Sequence, residues 1–315
     1  MIDFRYHLVS LIAVFLAVAL GIVIGTTQLN GPILDDLESQ VSTLEQDKRS
    51  LENQTRELQS ELDTSEDFET AVGPALVQET LAGSSVLLVV TNDDVATDDI
   101  EAVGALIAEA GGTVAGQISL TPAFTDPSSE SSLQSYVTGS GLPAGVTLPE
   151  VDDAGELVGS LLAQVLLVPP DGAFPDSAAT SSVLAGLSAL EVLRTDSDSV
   201  SAANVALVLT SGEFTGRHAE DRNSTLVELV TALDARGSGV VVAGDAASAR
   251  ESGLVGTVRE DPDVASAVST VDNISTAAGR ISAVLALRAE ASGTSGAYGT
   301  GEETQPVPPV GASTP

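Results

Sequence analysis

The feature that most constrains this chain is a long uncharged segment near its N-terminus. No Asp, Glu, Lys or Arg occurs from Leu8 to Leu34, and the most apolar part runs from Leu8 to Ile24. At roughly 1.5 Å of rise per helical residue, about 20 apolar residues cross the ~30 Å hydrocarbon core of a bilayer. The segment is long enough for that, and we expect residues 1–30 to form a membrane anchor.

A cleaved secretory signal is the alternative interpretation of the same segment. Ala17-Val18-Ala19 fits the small-residue pattern of a signal-peptidase site. Cleavage after Ala19 would leave an apolar stub, Leu20 to Ile24, at the start of the mature protein. This stub favours the uncleaved anchor.

The charges that flank the apolar segment predict its orientation. Arg5 and the α-amino group lie on the short N-terminal side, whereas Asp35 and Asp36 follow the segment and the next basic residue is Lys48. Because basic flanks stay in the cytoplasm, the N-terminus is expected inside the cell. Nearly the whole chain would then lie outside the cytoplasm, in the cell envelope.

A leucine heptad pattern follows the anchor and predicts a coiled coil over residues 31–66. All four d positions are leucine, and three of the five a positions are apolar. The a positions are Leu34, Val41, Lys48, Thr55 and Leu62, and the d positions are Leu37, Leu44, Leu51 and Leu58. Copies anchored in one membrane would pair in parallel, so we expect a homo-oligomer.

Two observations limit the strength of this predicted pairing. The polar a positions weaken a seam, although they can define its register. The g-to-e′ pairs are Gln40–Glu45, Asp47–Glu52 and Gln54–Gln59, and none of them attracts. A single amphipathic helix that packs on its own domain is the alternative interpretation.

From about Gly83 the pattern changes to short β-branched apolar runs that alternate with amphipathic helices. The predicted strands are Ser85–Thr91, Thr113–Leu120, Asn204–Thr210, Gly239–Gly244 and Ala265–Asp272. Two predicted helices are defined by their ends: one begins at an Asp98–Glu101 capping box and stops at Gly111, and one is capped by Thr225 and Glu228 and stops at Gly237. The other predicted helices are Leu133–Val137, Glu150–Leu167, Thr180–Leu190 and Ser275–Glu290.

This alternation predicts an α/β domain over residues 83–290, built on a doubly wound, mostly parallel sheet. The last segment, residues 291–315, is rich in Gly, Ser, Thr and Pro and has no periodicity. We expect it to be a disordered tail.

Composition excludes several function classes. The chain has 12 basic and 45 acidic residues, a formal net charge of −33, which is unsuited to a nucleic-acid binder. With 43% hydrophobic residues it can nevertheless form a packed core. It contains no cysteine, so disulfides, thiolate catalysis and cysteine-ligated metals are excluded.

Two groups of polar residues follow predicted strands, where open α/β sheets bind ligands. Asn92-Asp93-Asp94 and Asp98-Asp99 follow the first strand and could hold Mg²⁺ or Ca²⁺. The same residues equally suit the start of the next helix, whose positive end favours carboxylates. Glu213 and Asp245 follow two later strands and could form an acid/base pair, or serve only as turn and cap residues.

Other catalytic signatures do not occur in the sequence. Lys48 is the only lysine, and the two histidines, His7 and His218, are too far apart in the chain for a shared metal site to be expected. There is no glycine-rich phosphate loop and no nucleophile elbow. Three Asn-x-Ser/Thr sequences, at Asn53, Asn223 and Asn273, match the acceptor pattern for N-glycosylation, and we attribute them to chance. We therefore expect no enzyme, and no catalytic, cofactor-binding or metal site.

Taken in order, several segments resemble the MctB family of actinobacterial copper transporters. The N-terminal part of the resemblance is HLVSLIAVFLAVALGIVIGT (His7 to Thr26), the leucine heptads and GGTVAGQISLT (Gly111 to Thr121). The C-terminal part is LPAG (Leu142 to Gly145), RGSGVVVAG (Arg236 to Gly244), VSTVDNISTAAGRISAVLALRAE (Val268 to Glu290) and YGTG (Tyr298 to Gly301).

The resemblance implies a pore-forming or efflux component of the cell envelope that lowers intracellular copper, with outer-membrane residence as one implied location. Copper ions in transit and membrane lipid would then be its partners. Copper(I) prefers Cys and Met, and copper(II) favours His. Since Met1 is the only methionine and His218 the only histidine after the anchor, we expect no tight copper site in the α/β domain. The alternative function is a membrane-anchored coiled-coil scaffold whose α/β domain binds an envelope partner or a small ligand.

Overall fold

The computed structural model describes residues 4–139, 142–143, 145–170, 172–197 and 199–309, with the backbone alone for residues 26–35. The chain divides into two compact units, residues 1–65 and residues 66–315. Helix α1 (Phe4–Val77) begins in the first unit and ends in the second. The predicted anchor and the heptad segment are therefore both helical over their described residues. Residues 1–3 and 310–315, and the side chain of Leu34, lie outside the described part of the chain.

The first unit is a helix with an apolar beginning. Residues Phe4–Gly25 have a mean hydropathy of 2.9 and none of their most apolar stretch is buried, so by length and composition this part of α1 could cross a membrane. Further along, the described heptad leucines are also exposed in the single chain, from 49% for Leu37 to 69% for Leu44. Pairing of this helix into a coiled coil stays a prediction.

The second unit is built on a seven-stranded sheet with the order β3-β2-β1-β4-β5-β6-β7. The strands are β1 (Ser85–Val90), β2 (Thr113–Leu120), β3 (Leu193–Thr195), β4 (Val205–Thr210), β5 (Val240–Gly244), β6 (Ser269–Val271) and β7 (Ala297–Tyr298). Every neighbouring pair is parallel except β2 and β3. The prediction of a mostly parallel sheet is thus confirmed.

Helices cover both faces of this sheet. They are α2 (Thr97–Glu109), α3 (Glu130–Val137), α4 (Ala154–Leu166), α5 (Ser177–Ala189), α6 (Ala219–Arg236), α7 (Leu254–Glu260), α8 (Pro262–Ala265) and α9 (Ala277–Ala291). One core joins the sheet to α3 through α7, and the other joins it to α2, α9 and the end of α1. The domain is doubly wound, as predicted.

The strand sequences explain why the central strands are buried on both sides. In β1, Leu87 and Val89 pack into the first core, while Val86, Leu88 and Val90 pack into the second. Strands covered on both faces need continuous apolar runs rather than alternation, and β-branched residues suit them. This pattern made β1, β4 and β5 predictable from the sequence.

Several boundaries differ from the prediction. The N-cap of α2 is Ala96, without a side-chain cap, so the expected Asp98–Glu101 capping box is wrong. Helix α6 begins at Ala219, which places Thr225 and Glu228 inside the helix rather than at its start. Strand β3 was missed because it has three residues, of which Leu193 alone is buried.

The C-terminal segment is the main correction to the predicted organisation. The expected disordered tail is wrong for its described part, because β7 extends the sheet and Tyr298 is 1% exposed. Asp272 holds the following loop by accepting hydrogen bonds from the amides of Thr300 at 2.7 Å and Gly301 at 3.1 Å. Arg259 completes this cluster through an ion pair with Asp272 at 2.9 Å and a hydrogen bond to the Tyr298 carbonyl at 3.0 Å.

Candidate functional site

The parallel strands end at one edge of the sheet, and the loops there carry the residues singled out from the sequence. The strand order reverses between β1 and β4, which is where open α/β sheets place ligands. The structure joins the two loops at this point, since the Asn92 side chain donates to the carbonyl of Ser211 at 2.9 Å. Asn92 also accepts from the Asp94 amide at 3.2 Å, which makes a local turn.

The carboxylates after β1 turn toward different partners. Asp93 forms an exposed ion pair with Arg194 at 2.5 Å, and Asp99 pairs with Arg280 at 3.0 Å. Asp98 and Asp99 occupy the first turn of α2, where the helix dipole favours negative charge. Among the described residues, no group of three or more His, Cys, Asp or Glu side chains is placed to hold a metal ion. The geometry favours the helix-end interpretation of these residues over the cation site.

Asp245 and Glu213 also have structural partners. Burial disfavours the charge on Asp245, but hydrogen bonds from the Gly212 amide at 2.9 Å, the Ser248 amide at 2.8 Å and the Ser211 hydroxyl at 3.0 Å outweigh it and lower its pKa. A carboxylate with a lowered pKa is a weak base. Glu213 pairs with Arg250 at 3.0 Å. The turn-and-cap interpretation therefore fits this pair better than acid/base catalysis.

The remaining singled-out residues have ordinary surroundings. His218 precedes α6, and its Nδ1 lies 3.0 Å from Asp221, with about half of each side chain or more exposed. Asn223 is 2% exposed and donates to the Ser252 carbonyl at 2.8 Å. N-glycosylation of Asn223 would require this buried side chain to become exposed. Its burial therefore supports the interpretation that the Asn-x-Ser/Thr sequence at Asn223 occurs by chance.

An acidic cavity of about 300 Å³ lies between the start of α4, the start of α6 and the loop after β2. Its lining includes the carboxylates of Asp126, Glu130, Asp153, Asp221 and Glu228. Asp153 is the N-cap of α4 and accepts from the amides of Gly155 at 2.8 Å and Glu156 at 3.1 Å.

Glu228 is the unusual carboxyl in this cavity. Burial, reinforced by the neighbouring negative charge of Asp153, raises the pKa of Glu228 to about 7. Its Oε2 atom is buried without a hydrogen-bond partner among the described residues. Glu228 can therefore take up a proton near neutral pH. Sequence reasoning missed it because Glu228 and Asp153 lie 75 positions apart and Glu228 resembled part of a helix cap.

Replacing Glu228 by Gln should flatten the pH dependence of stability. The folded state binds the Glu228 proton more tightly than the unfolded state, so its contribution is favourable at low pH and is lost as pH rises from about 4.5 to about 7. Because solvent reaches part of this side chain, we expect Glu228→Gln to gain about 1 kcal/mol at pH 8 relative to the parent. Urea unfolding at pH 5 and pH 8 measures this.

Glu130→Gln is the matched control, because Glu130 lines the same cavity but is exposed. It should leave the difference between pH 5 and pH 8 as in the parent. An unchanged pH dependence in Glu228→Gln would show that Glu228 is ionised normally in the folded protein.

Comparison with known proteins gives one consistent family. The family model described as "Copper transport outer membrane protein, MctB" matches residues 1–309. The chain belongs to the MctB family. Its relatives include the copper transporters MctB of Mycobacterium tuberculosis, 36% identical over 98% of this chain and 99% of that protein, and of Mycobacterium leprae, 36% identical over 96% and 97%.

The segments that carry the MctB resemblance have clear structural tasks. Thr276, in the VSTVDN…RAE segment, caps α9 through a hydrogen bond from the Gly279 amide at 3.1 Å. Arg280, one turn later, pairs with Glu66 at 2.7 Å and with Asp99 at 3.0 Å. The YGTG segment is the loop that binds Asp272. These residues join distant parts of the second unit, and their surroundings give no sign of a copper site.

Proposed function

We propose that this protein is a membrane-anchored component of copper efflux in the cell envelope, with its α/β unit outside the cytoplasm. The observation that carries the proposal is the match to the MctB family along residues 1–309, which includes the apolar helix Phe4–Gly25. The single basic residue on the N-terminal flank, Arg5, supports the outward orientation of the rest of the chain.

Copper in this proposal is a transported ion and is not held tightly by the α/β unit. The chain has no cysteine, and its described imidazoles are those of His7 and His218. Carboxylates are hard ligands that bind copper(II) weakly and copper(I) hardly at all. A net charge of −33 can still concentrate cations near the surface, an effect that salt screens. The protein would thus act through a pore, a partner or envelope organisation.

Complementation tests the proposal directly. The chain is produced in a mycobacterial strain that lacks its own MctB, and cell-associated copper is measured after growth in copper-containing medium. We expect less copper per cell than in the empty-vector strain. A version of the chain without residues 1–30, carried outside the cytoplasm by a cleavable signal, is the control and should not lower it. Equal copper content with and without the full chain would contradict the proposal.

The anchor itself makes a separate prediction. Because the apolar part of α1 runs unbroken past Ala19, signal cleavage would leave an apolar N-terminus. We expect the membrane-extracted protein to retain residues Met1 to Ala19. N-terminal sequencing or intact mass measures this, and a mature chain that starts at Leu20 would contradict the uncleaved anchor.

A scaffold is the second candidate function, and the exposed leucines of α1 favour it. Such a protein would hold its α/β unit at the membrane for an envelope partner, without a transport path of its own. Membrane fractionation narrows the choice. Outer-membrane residence supports the pore that the family description implies, whereas inner-membrane residence, as argued from Arg5, supports a scaffold or an efflux component that acts through a partner.

A further inference from the structure

The first unit presents an exposed heptad face along α1 in the single chain, and this face is apolar over its described residues except at Lys48 and Thr55. The d-position leucines are well exposed, with 69% for Leu44, 63% for Leu51 and 60% for Leu58. Leu62 and Val41, at a positions, are 64% and 54% exposed. Leucines at this heptad spacing are the knobs of a coiled coil, and leaving them in water forgoes much of the free energy of burying them.

We propose that a second copy of this chain covers this face, in parallel and in register. The inference rests on the proposed membrane anchoring, since two copies inserted with their N-termini on the same side present their heptads in the same direction. Anchoring also confines both helices to one membrane surface, which raises their effective concentration. A seam of only four leucine layers can then pair although its a positions are imperfect.

The charge pattern around Lys48 supports a second copy rather than an unrelated partner. Lys48 is an a-position residue and pairs within its own helix with Glu52 at 3.5 Å. In a parallel in-register pair, an a residue lies beside the preceding g residue of the other helix, here Asp47. Lys48 of each copy would therefore sit between its own Glu52 and Asp47 of the second copy. The two Lys48 residues share this layer of the seam, and the four carboxylates around them offset their mutual repulsion.

This placement offsets two unfavourable features of the seam, the like-charged g-to-e′ pairs and the facing Lys48 side chains. Asp47 and Glu52 would otherwise form a like-charged g-to-e′ pair between the copies. Lys48 is the only lysine in the sequence. In the proposed pair it lies in the layer that the two Asp47–Glu52 contacts between the copies flank. A shift of one heptad would set Lys48 beside Gln54 or Gln40 instead, which offer no negative charge. The aligned register is thus the one in which carboxylates of both copies surround Lys48.

Disulfide trapping tests orientation and register, because the natural chain has no cysteine to interfere. Leu37→Cys and Leu58→Cys are made singly in the full chain, which is produced in membranes and mildly oxidised. A parallel in-register pair brings like d positions together, so each variant should give at least about half of its chains as covalent dimers, given the short Cα separation that a disulfide requires. Ser39→Cys and Ser60→Cys, at f positions on the opposite side of the helix, are the matched controls and should give little dimer.

Three outcomes would overturn the proposal. One is crosslinking of Leu37→Cys with Leu58→Cys in a mixture but of neither alone, which indicates antiparallel pairs. Another is equal crosslinking at the leucine and serine positions, which indicates random collision in the membrane. The last is the absence of dimers at both leucine positions, which leaves the face to a different partner. If trapping succeeds in a chain that fails to lower cell copper, pairing stands and the proposed copper function falls.

The role of Lys48 is tested by substitution in the Leu58→Cys background. Lys48→Glu places a third negative charge beside Asp47 and Glu52, so the dimer yield at a fixed oxidation time should fall about tenfold. Lys48→Leu removes the charge from the seam and should raise the yield above that of the parent. Equal yields for Lys48→Glu and the parent would contradict the placement of Lys48 in the seam.

Discussion

Replacing Asp272 by Ala should cost the α/β unit about 3–5 kcal/mol, the range for removal of one partner from a buried ion pair. Asp272 is 1% exposed and accepts hydrogen bonds from two backbone amides and from Arg259. Its loss would leave the Arg259 guanidinium, with a side chain 17% exposed, without its counter-charge. Urea unfolding followed by tyrosine fluorescence should show a lower midpoint.

The same substitution should release the C-terminal segment before the unit unfolds. Thr300 and Gly301 would lose the carboxylate that holds their amides, so Glu302 and Glu303 should become faster cleavage sites for a glutamate-specific protease. Asp67→Ala is the control, because Asp67 is exposed and such changes usually alter stability by about 0.5 kcal/mol or less. Equal cleavage and equal midpoints for the two variants would contradict the assigned role of Asp272.

The second large effect is expected at Arg280, which links three elements of the second unit. Its side chain is 13% exposed and reaches Glu66 on α1 at 2.7 Å, Asp99 on α2 at 3.0 Å and the Ser275 carbonyl at 3.1 Å. Burial already raises the pKa of Asp99, and the Arg280 charge is what opposes this shift. Arg280→Ala should therefore destabilise the unit by about 2–4 kcal/mol, since two carboxylates lose their cation.

Arg250→Ala provides the comparison for Arg280. Arg250 also forms an ion pair, with Glu213 at 3.0 Å, but its side chain is 67% exposed. Exposed pairs contribute about 0–1 kcal/mol, so this variant should unfold close to the parent. A shift as small in Arg280→Ala as in Arg250→Ala would show that Glu66 and Asp99 find other compensation when the guanidinium is absent.

The central strands were predictable because a strand that is buried on both faces needs a continuous run of apolar residues, which is visible in the sequence. The run SVLLVV is apolar throughout, and the structure assigns it to β1 at Ser85–Val90. Strand β7 gave no such signal, because its two residues lie among glycines and its order depends on Asp272, far back in the sequence. The C-terminal segment is ordered by that distant contact rather than by its own composition.

The acidic cavity illustrates the same limit for candidate sites. Asp153 caps α4 and Glu228 lies within α6, and each residue alone resembles an ordinary helix carboxylate. Only the packing of α4 on α6 brings them together and raises the pKa of Glu228 to about 7. The residues after β1 show the converse, since neighbours in sequence such as Asp93 and Asp99 pair with different arginines.

Copper titration of the purified full chain in detergent tests most directly whether this protein works without a tight copper site of its own. Copper(I) is added against a competing chelator, with the parent and His218→Ala compared. A tight site needs several soft or imidazole donors within about 2.0–2.3 Å of the ion. We expect no one-to-one complex for the parent and the same titration curve for His218→Ala. A one-to-one complex with nanomolar or tighter affinity would contradict this account.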